Sequence, residues 1–338
     1  MKQPAAEPAA PAPGRSCPLH YRYAPSVFAR PADPGCEALD VLYVVGGLYG
    51  HAGALAQVVA MFAAESGRKR LVFNGDFNWF NVKPAAFQAL NTTVLGFDAL
   101  RGNVETELAD PGATFDTGCG CAYPDWVGDG VVERSNRILQ RLRRTAQQFP
   151  ALQARLAALP MHRRADVGGL RVAVVHGDAE SLAGWGFAQE HLQQPAHRVQ
   201  VRQWFDAAQV DAFACSHTCL PVFYSLPMPG RARVPVVLNN GAAGMPNFRG
   251  DAAGLFTRIA TAPFAGEGRR FGITREVAGR VIHLEAIAVA GEPASARAAQ
   301  ADFLRHWPQG SDAHASYWAR IHAGPDYGLE EALRSSSD

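Results

Sequence analysis

The stretch LRVAVVHGD, residues 170–178, opens on an apolar run and closes on His176, Gly177 and Asp178. A near-continuous run of Leu, Val and Ala suits a strand buried on both faces, and the polar residues after it mark the strand's carboxyl end. The same design recurs on either side. ALDVLYVV (38–45) runs into the glycine-rich turn GGLYGHAGAL, and RLVFN (70–74) stops at Gly75-Asp76. DAFAC (211–215) stops at Ser216-His217-Thr218, and PVVL (235–238) at Asn239-Asn240-Gly241. Buried strands that each deliver a polar residue into a loop are how α/β proteins build a site at the carboxyl ends of their strands.

Other segments have a different character. Residues 54–65 read as a helix, and 131–159 as two helices interrupted at Pro150. The division expected is an irregular or disordered segment over 1–36, whose Ala/Pro-rich first 16 residues form a tail, then a main domain over 37–290. A helical insertion over 131–160 lies within that domain, and residues 291–338, helical in parts, form a C-terminal appendage. No solenoid-length repeat is visible.

The chain has 338 residues, 48% of them hydrophobic, and a formal net charge of +1. That hydrophobic share is too high for a wholly disordered chain, and no apolar run reaches the ~18 residues of a membrane span. The near-neutral charge gives no general attraction to nucleic acid or anionic lipid. The N-terminus lacks the basic start and apolar core of a signal peptide, so a cytoplasmic protein with reduced thiols is expected. The basic residues are 29 arginines and 3 lysines, a bias that fits the codon composition of a GC-rich, bacterial genome.

Taken singly, the strand-end polar residues say little, because such positions are commonly turns or helix caps. Their order says more: Asp76, then Asn103 after Gly102, then His176, then His217. One carboxylate, one amide oxygen and two imidazoles form a mixed O/N set suited to Mn²⁺, Fe²⁺ or Zn²⁺. With this set the chain resembles the calcineurin-like metallophosphoesterase superfamily, whose pattern is GDxHG, GDxxxxx, GNH(D/E), a strand-end His, GHxH and often Asn-x-Gly-Ser. The matching segments are VVGGLYGH (44–51), FNGDFNW (73–79), LRGNVETE (100–107), VVHGD (174–178), ACSHTCLP (214–221) and LNNGAAG (238–244), all in family order.

The resemblance implies an α/β fold, a four-layer α-β-β-α sandwich of two mixed sheets. It also implies a metal-dependent hydrolase of phosphomonoesters, phosphodiesters or anhydrides, with a small-molecule phosphoester as partner. By the same resemblance Asp76 is the ligand shared between two metals, and Asn103, His176 and His217 complete one of the two sites. The other site departs from the pattern, with Gly47, Tyr49 and Cys219 where its ligands belong and Val104 in place of the GNH histidine. One or two divalent transition metals per chain are therefore open.

A rebuilt second site would draw on Cys219 as a thiolate ligand, with Cys119, Cys121 and Cys215 as further thiols. His51 and Tyr49 are the nearest candidates for a general acid or transition-state donor. Asn240 and Gly241, at the family's Asn-Gly step, are expected to offer amide contacts to substrate; Trp126, Trp185, Trp318 and Arg134 stay open between substrate contact, for which Trp185 has the best claim, and the packing role that most tryptophans have. Two other readings stay open: a non-catalytic protein that binds metal or nucleotide on this fold, and a thiol-containing metalloenzyme of different chemistry.

Overall fold

The computed structural model describes residues 13–30, 38–110 and 117–335. Residues 1–12 of the expected tail, and Cys36, lie outside the described residues. Nine helices within them are α1 (Ala52–Ala64), α2 (Pro84–Val94), α3 (Asn103–Ala109), α4 (Asp129–Ala146), α5 (Pro150–Ala157), α6 (Gln189–Leu192), α7 (Pro195–Ala208), α8 (Pro293–His306) and α9 (Asp312–Ala323). None is long and apolar enough to cross a membrane.

The strands fall into two six-stranded mixed sheets. One holds β1 (Val41–Val45), β2 (Lys69–Phe73), β3 (Asp98–Ala99), β9 (Gly254–Ala260), β10 (Arg269–Val277) and β11 (Arg280–Val289), in the order β10-β11-β9-β1-β2-β3. The other holds β4 (His162–Val167), β5 (Leu170–Val175), β6 (Ala212–Cys215), β7 (Pro221–Ser225), β8 (Val236–Asn240) and β12 (Leu333–Ser335), in the order β12-β7-β8-β6-β5-β4. The pairs β1–β2 and β2–β3 are parallel, as are β5–β6, β6–β8 and β7–β12; the remaining pairs are antiparallel.

Side-chain alternation shows how four layers form. Along β1, Val41, Tyr43 and Val45 pack into a core shared with α1, α2 and α4, while Leu42 and Val44 point into a second core. Along β5, Val172 and Val174 enter that same second core, whereas Ala173 and Val175 pack into a third beneath α7. A strand alternates faces with period two, so a run apolar at every position can face two cores at once. The sheets thus stack face to face with helices on both outer sides, the arrangement the resemblance implies. Fully burying one such Val or Leu stabilises the fold by about 1.5–3 kcal/mol.

Two segments outside the strand pattern pack closely. Tyr21, in the N-terminal region, is fully buried and donates its hydroxyl to Glu107 Oε1 at 2.5 Å. Gly14 donates its N–H to Thr117 O at 2.9 Å. Near the C-terminus, β12 extends the second sheet by pairing with β7.

Candidate metal centre

Parallel register brings the strand ends together. Val45 pairs with Phe73 and Val174 with Ala214, so the loops after β1, β2, β5 and β6 leave at one edge. Asn74 links the two sheets there, its Nδ2 donating to Val175 O at 2.9 Å. Two glycines let the loops meet. A Cβ on Gly75, whose φ is +103°, would lie 2.6 Å from His176 Nδ1, and one on Gly102 would lie 2.3 Å from Asp76 Oδ1. Asp76, Tyr49 and Cys219 all take positive φ (54°, 49° and 64°), a conformation unfavourable for non-glycine residues and concentrated here in the site loops.

Among the described residues, Asp76, His176 and His217 form a buried group whose ligand atoms all lie within 4.8 Å of one another. His176 Nε2 is the hub, 3.3 Å from Asp76 Oδ1, 3.1 Å from Asn103 Oδ1 and 3.1 Å from His217 Nδ1. The hydrogen bonds around them assign which atom carries a lone pair. His176 Nδ1 donates to Asn74 O at 2.9 Å, which leaves Nε2 free. His217 Nε2 donates to Cys121 O at 3.1 Å, which leaves Nδ1 free. Asn103 Nδ2 donates to Cys119 O at 2.9 Å, which turns Oδ1 inward.

Three acceptor atoms therefore face a fourth, His176 Nε2, at 3.1–3.3 Å. Such a cluster repels itself unless a cation or a proton stands among its members. Ligands bound at ~2.1 Å on adjacent positions of one ion lie ~3.0 Å apart, or ~3.4 Å in a tetrahedron, so the residues fit a divalent transition metal. Imidazoles held in the correct tautomer by backbone carbonyls are a common device for metal binding.

Electrostatics agree with the geometry. Burial opposes the charge on Asp76, but His176 beside it outweighs burial and holds the carboxyl below its usual range. Burial likewise opposes charging of His176, and Asp76 outweighs it to raise the ring's pKa. Burial, with His176 adding to it, pushes His217 down to about 4, which keeps that ring neutral and able to bind metal. Behind Asp76 lies Glu105, fully buried, whose Oε2 accepts N–H bonds from Asp76 at 2.7 Å and Gly102 at 3.1 Å. Its carboxyl is pushed up to about 7 by burial and by the charge of Asp76.

No protein-family model matches the chain, and no curated protein matches it in sequence. The structure is similar to that of a hypothetical protein from Pyrococcus horikoshii OT3, at 11% identity, covering 85% of this chain and 99% of that one with a TM-score of 0.50. It is also similar to a metallophosphoesterase from Sphaerobacter thermophilus, at 16% identity, covering 84% of this chain and 100% of that one with a TM-score of 0.49. The fold shared with the Pyrococcus protein is the α/β sandwich of two six-stranded mixed sheets described above. At such identities the likeness is one of fold, and the chemistry of this chain is read from its own atoms.

The altered positions have a definite geometry. A Cβ placed on Gly47 would lie 3.0 Å from Tyr49 Cζ and 3.1 Å from its hydroxyl, so the tyrosine ring fills the space beside Gly47. The Tyr49 hydroxyl stands 2.7 Å from Cys219 Sγ, and the thiol also reaches His217 O at 3.3 Å. Burial raises the pKa of both Tyr49 and Cys219, so the pair is a neutral phenol and thiol. No cysteine joins the metal-ligand group among the described residues, which turns Cys219 from an expected ligand into the partner of Tyr49.

The other expected residues are distributed unevenly. His51 caps α1, its Nδ1 accepting the Ala54 N–H at 3.1 Å, and it lines a separate cavity of about 310 Å³ on the other side of Tyr49. It therefore stands apart from the cavity at the cluster, because the turn after β1 commits its ring to the helix start. Asn240 is fully buried, with Nδ2 donating to Leu255 O at 2.9 Å and Gly46 O at 3.3 Å. The Gly241 N–H is taken by Asn239 Oδ1 at 2.9 Å, so neither residue presents an amide donor to substrate. Cys215 packs beneath α7, and Trp318 stacks on Phe303, His314 and His322.

The cavity at the cluster has a volume of about 270 Å³, and Asp76, Asn103 and His217 form part of its wall. Five aromatic side chains, Tyr49, Trp79, Tyr123, Trp185 and Tyr317, line it together with Val104 and Thr218. Trp185 stands edge-on to His217 at 5.6 Å and donates its Nε1–H to Cys121 O at 2.9 Å. Glu105, the carbonyls of Asn74, Cys119 and Cys121, and three of these aromatic residues went unnoticed in the sequence. The alternating glycines of GCGC were a usable signal, since Gly118 and Gly120 take φ of +60° and +64° to present those carbonyls.

Proposed function

We propose that this chain is a metal-dependent phosphoesterase that works with one divalent transition metal, such as Mn, Fe or Zn, held by Asp76, Asn103, His176 and His217. The observation that carries this reading is the pair of imidazoles whose tautomers backbone carbonyls fix, so that both free nitrogens face the Asp76 and Asn103 oxygens. A bound metal supplies Lewis acidity, polarising the phosphoryl group and lowering the pKa of water.

The chain's own residues supply the rest. The phenol ring of Tyr49 fills the space beside Gly47 with its hydroxyl on Cys219, which supports a single metal. Its raised pKa keeps it protonated, and with the thiol directed to His217 O its one hydrogen goes to Cys219 Sγ, so it serves as a neutral wall of the cavity rather than as an acid. Thr218 accepts from Asn239 Nδ2 at 2.7 Å, which leaves its hydroxyl hydrogen free to donate into the cavity. The carbonyls of Asn74, Cys119 and Cys121 hold the ligands at fixed angles, and the aromatic walls exclude bulk water.

The test is metal content by mass spectrometry on protein purified without a tag under anaerobic conditions, alongside Asp76→Ala and His217→Ala. One equivalent, lost in both variants together with turnover of a phosphoester, is the expected result. Two equivalents would overturn the single-metal reading. No metal after reconstitution with Mn, Fe and Zn would overturn the enzyme reading as a whole, and metal without turnover would leave a binding protein.

A further inference from the structure

The cavity beside the cluster carries chemical information of its own. Among the described residues, no lysine or arginine lines it. Two arginines stand behind the wall, and the charge of Arg320 is felt by Tyr49 and Cys219 on it. Arg320 gives Nη2 to Cys219 O at 2.7 Å and Nε to Pro246 O at 2.9 Å, while Arg134 gives Nε to Ser316 Oγ at 2.7 Å. Glu105, behind Asp76 and ionised at alkaline pH, adds a negative charge that offsets Arg320. A divalent ion on one carboxylate and three neutral ligands carries a net charge of one positive unit.

Aromatic surfaces make up much of the rest. Tyr123 and Trp185 stand 5.8 Å apart on one side, and Trp79 and Tyr317 stand 6.4 Å apart on the other. Trp126, 56% exposed, lies edge-on to Trp185 at the outer surface, 6.4 Å away. Val104 offers no proton to a leaving group, and the one lining histidine, His217, is committed to the cluster.

We infer that this cavity selects a monoanionic phosphodiester bearing an aryl group, and rejects the dianion of a phosphomonoester. The inference rests on the phosphoesterase reading and deepens it. Three observations converge. A monoanion neutralises the single positive charge, whereas a dianion leaves an uncompensated charge in a cavity with aromatic walls, which is costly without a cationic partner. Aromatic faces gain by stacking on a planar substituent. An aryl alcohol is acidic enough to leave without a general acid, and Val104 stands where the resembled pattern places its histidine.

The test has a binding arm and a turnover arm. Tryptophan fluorescence and titration calorimetry on metal-loaded and metal-free protein use three inert probes at alkaline pH. These are diphenylphosphinate (monoanion, two aryl groups), phenylphosphonate (dianion) and dimethylphosphinate (monoanion, no aryl group). Diphenylphosphinate is expected to bind the loaded protein at least about tenfold more tightly than either of the others. Val127→Arg, at a half-buried loop position on the cavity wall, is expected to strengthen phenylphosphonate binding by about tenfold and to change diphenylphosphinate by less than about threefold.

Equal or tighter binding of phenylphosphonate, or no binding of any probe, overturns the inference. In the turnover arm, bis(p-nitrophenyl) phosphate is expected to exceed p-nitrophenyl phosphate by at least about tenfold in kcat/KM. A monoester preference overturns the inference and leaves the phosphoesterase reading standing. Turnover of neither ester, with diphenylphosphinate still preferred, upholds the cavity's selectivity and overturns the phosphoesterase reading.

Discussion

Gly102 is the point at which the loops of the metal centre touch, and Gly102→Ala measures how much that contact matters. The new methyl would lie 2.3 Å from Asp76 Oδ1, 2.7 Å from Asp76 N and 3.0 Å from His176 Cε1. Two of these neighbours belong to ligands, and one is backbone, so the loops must part. Overpacking of this kind costs about 1–3 kcal/mol of stability. Parting the loops also moves Asp76 away from His176 and weakens metal binding by about 10–100-fold, as disturbed support for metal ligands commonly does.

The two effects separate in urea titrations run with chelator and with metal. At free metal about 100-fold above Kd, binding adds about 2.7 kcal/mol to the wild-type protein. A tenfold weaker variant gains only about 1.4 kcal/mol, and a hundredfold weaker one about 0.4 kcal/mol. Gly130→Ala is the control, because its methyl would meet only the mobile end of Arg134, at 3.3 Å, near the start of α4. It should hold or slightly raise stability and leave the metal increment intact. If Gly102→Ala keeps the full metal increment, whatever its effect in chelator, the argument that this contact positions the ligands is wrong.

Four further outcomes follow from the same geometry. Replacing the altered positions together, as Gly47→Asp with Tyr49→His and Cys219→His, removes the Tyr49–Cys219 pair and should raise metal content from about one to two equivalents by mass spectrometry. Cys119→Ser and Cys121→Ser should change metal affinity in a competition titration by less than about threefold, because these residues act through their carbonyls. His51→Ala should cost about 1 kcal/mol through the lost cap of α1 in thermal unfolding, with metal content unchanged. Asp211→Asn should cost about 1–2 kcal/mol near neutral pH, since Asp211 pairs with Arg171 at 3.0 Å and Arg233 at 2.7 Å. Burial opposes the charge of Asp211, and Arg171 and then Arg233 outweigh it to lower the carboxyl's pKa. The deficit should therefore be full above the ordinary carboxylate range near ~4 and vanish as pH falls through the lowered native value, read from urea midpoints across acid pH.

What the residue string carried was local. The apolar runs at 38–45, 70–74, 170–175, 211–215 and 235–238 end within two residues of their strands' ends, and Asp76, His176, His217 and Gly241 follow those strands by one to three residues. A strand buried on both faces must be apolar throughout, and a polar residue at its end is visible in the same few letters. Asp76, Asn103, His176 and His217 were legible for that reason, as was the place where the second metal's ligands depart from the pattern.

Orientation was decided elsewhere. His176 is set by Asn74 O, 102 residues away, His217 by Cys121 O, 96 residues away, and Tyr49 meets Cys219 across 170 residues. Asn240 stands at a strand end like the others, yet its amide turns inward to hold Gly46 and Leu255. His51, two residues from Tyr49, caps a helix and faces another cavity. Every residue carries a backbone carbonyl, so nothing in the identity of Asn74 or Cys121 marks it as the acceptor that fixes a ligand. Sequence determined which donor atoms the chain can bring to the strand ends, while the packing of two sheets decided which of them face one another, because hydrogen-bond direction depends on the relative placement of segments far apart in the chain.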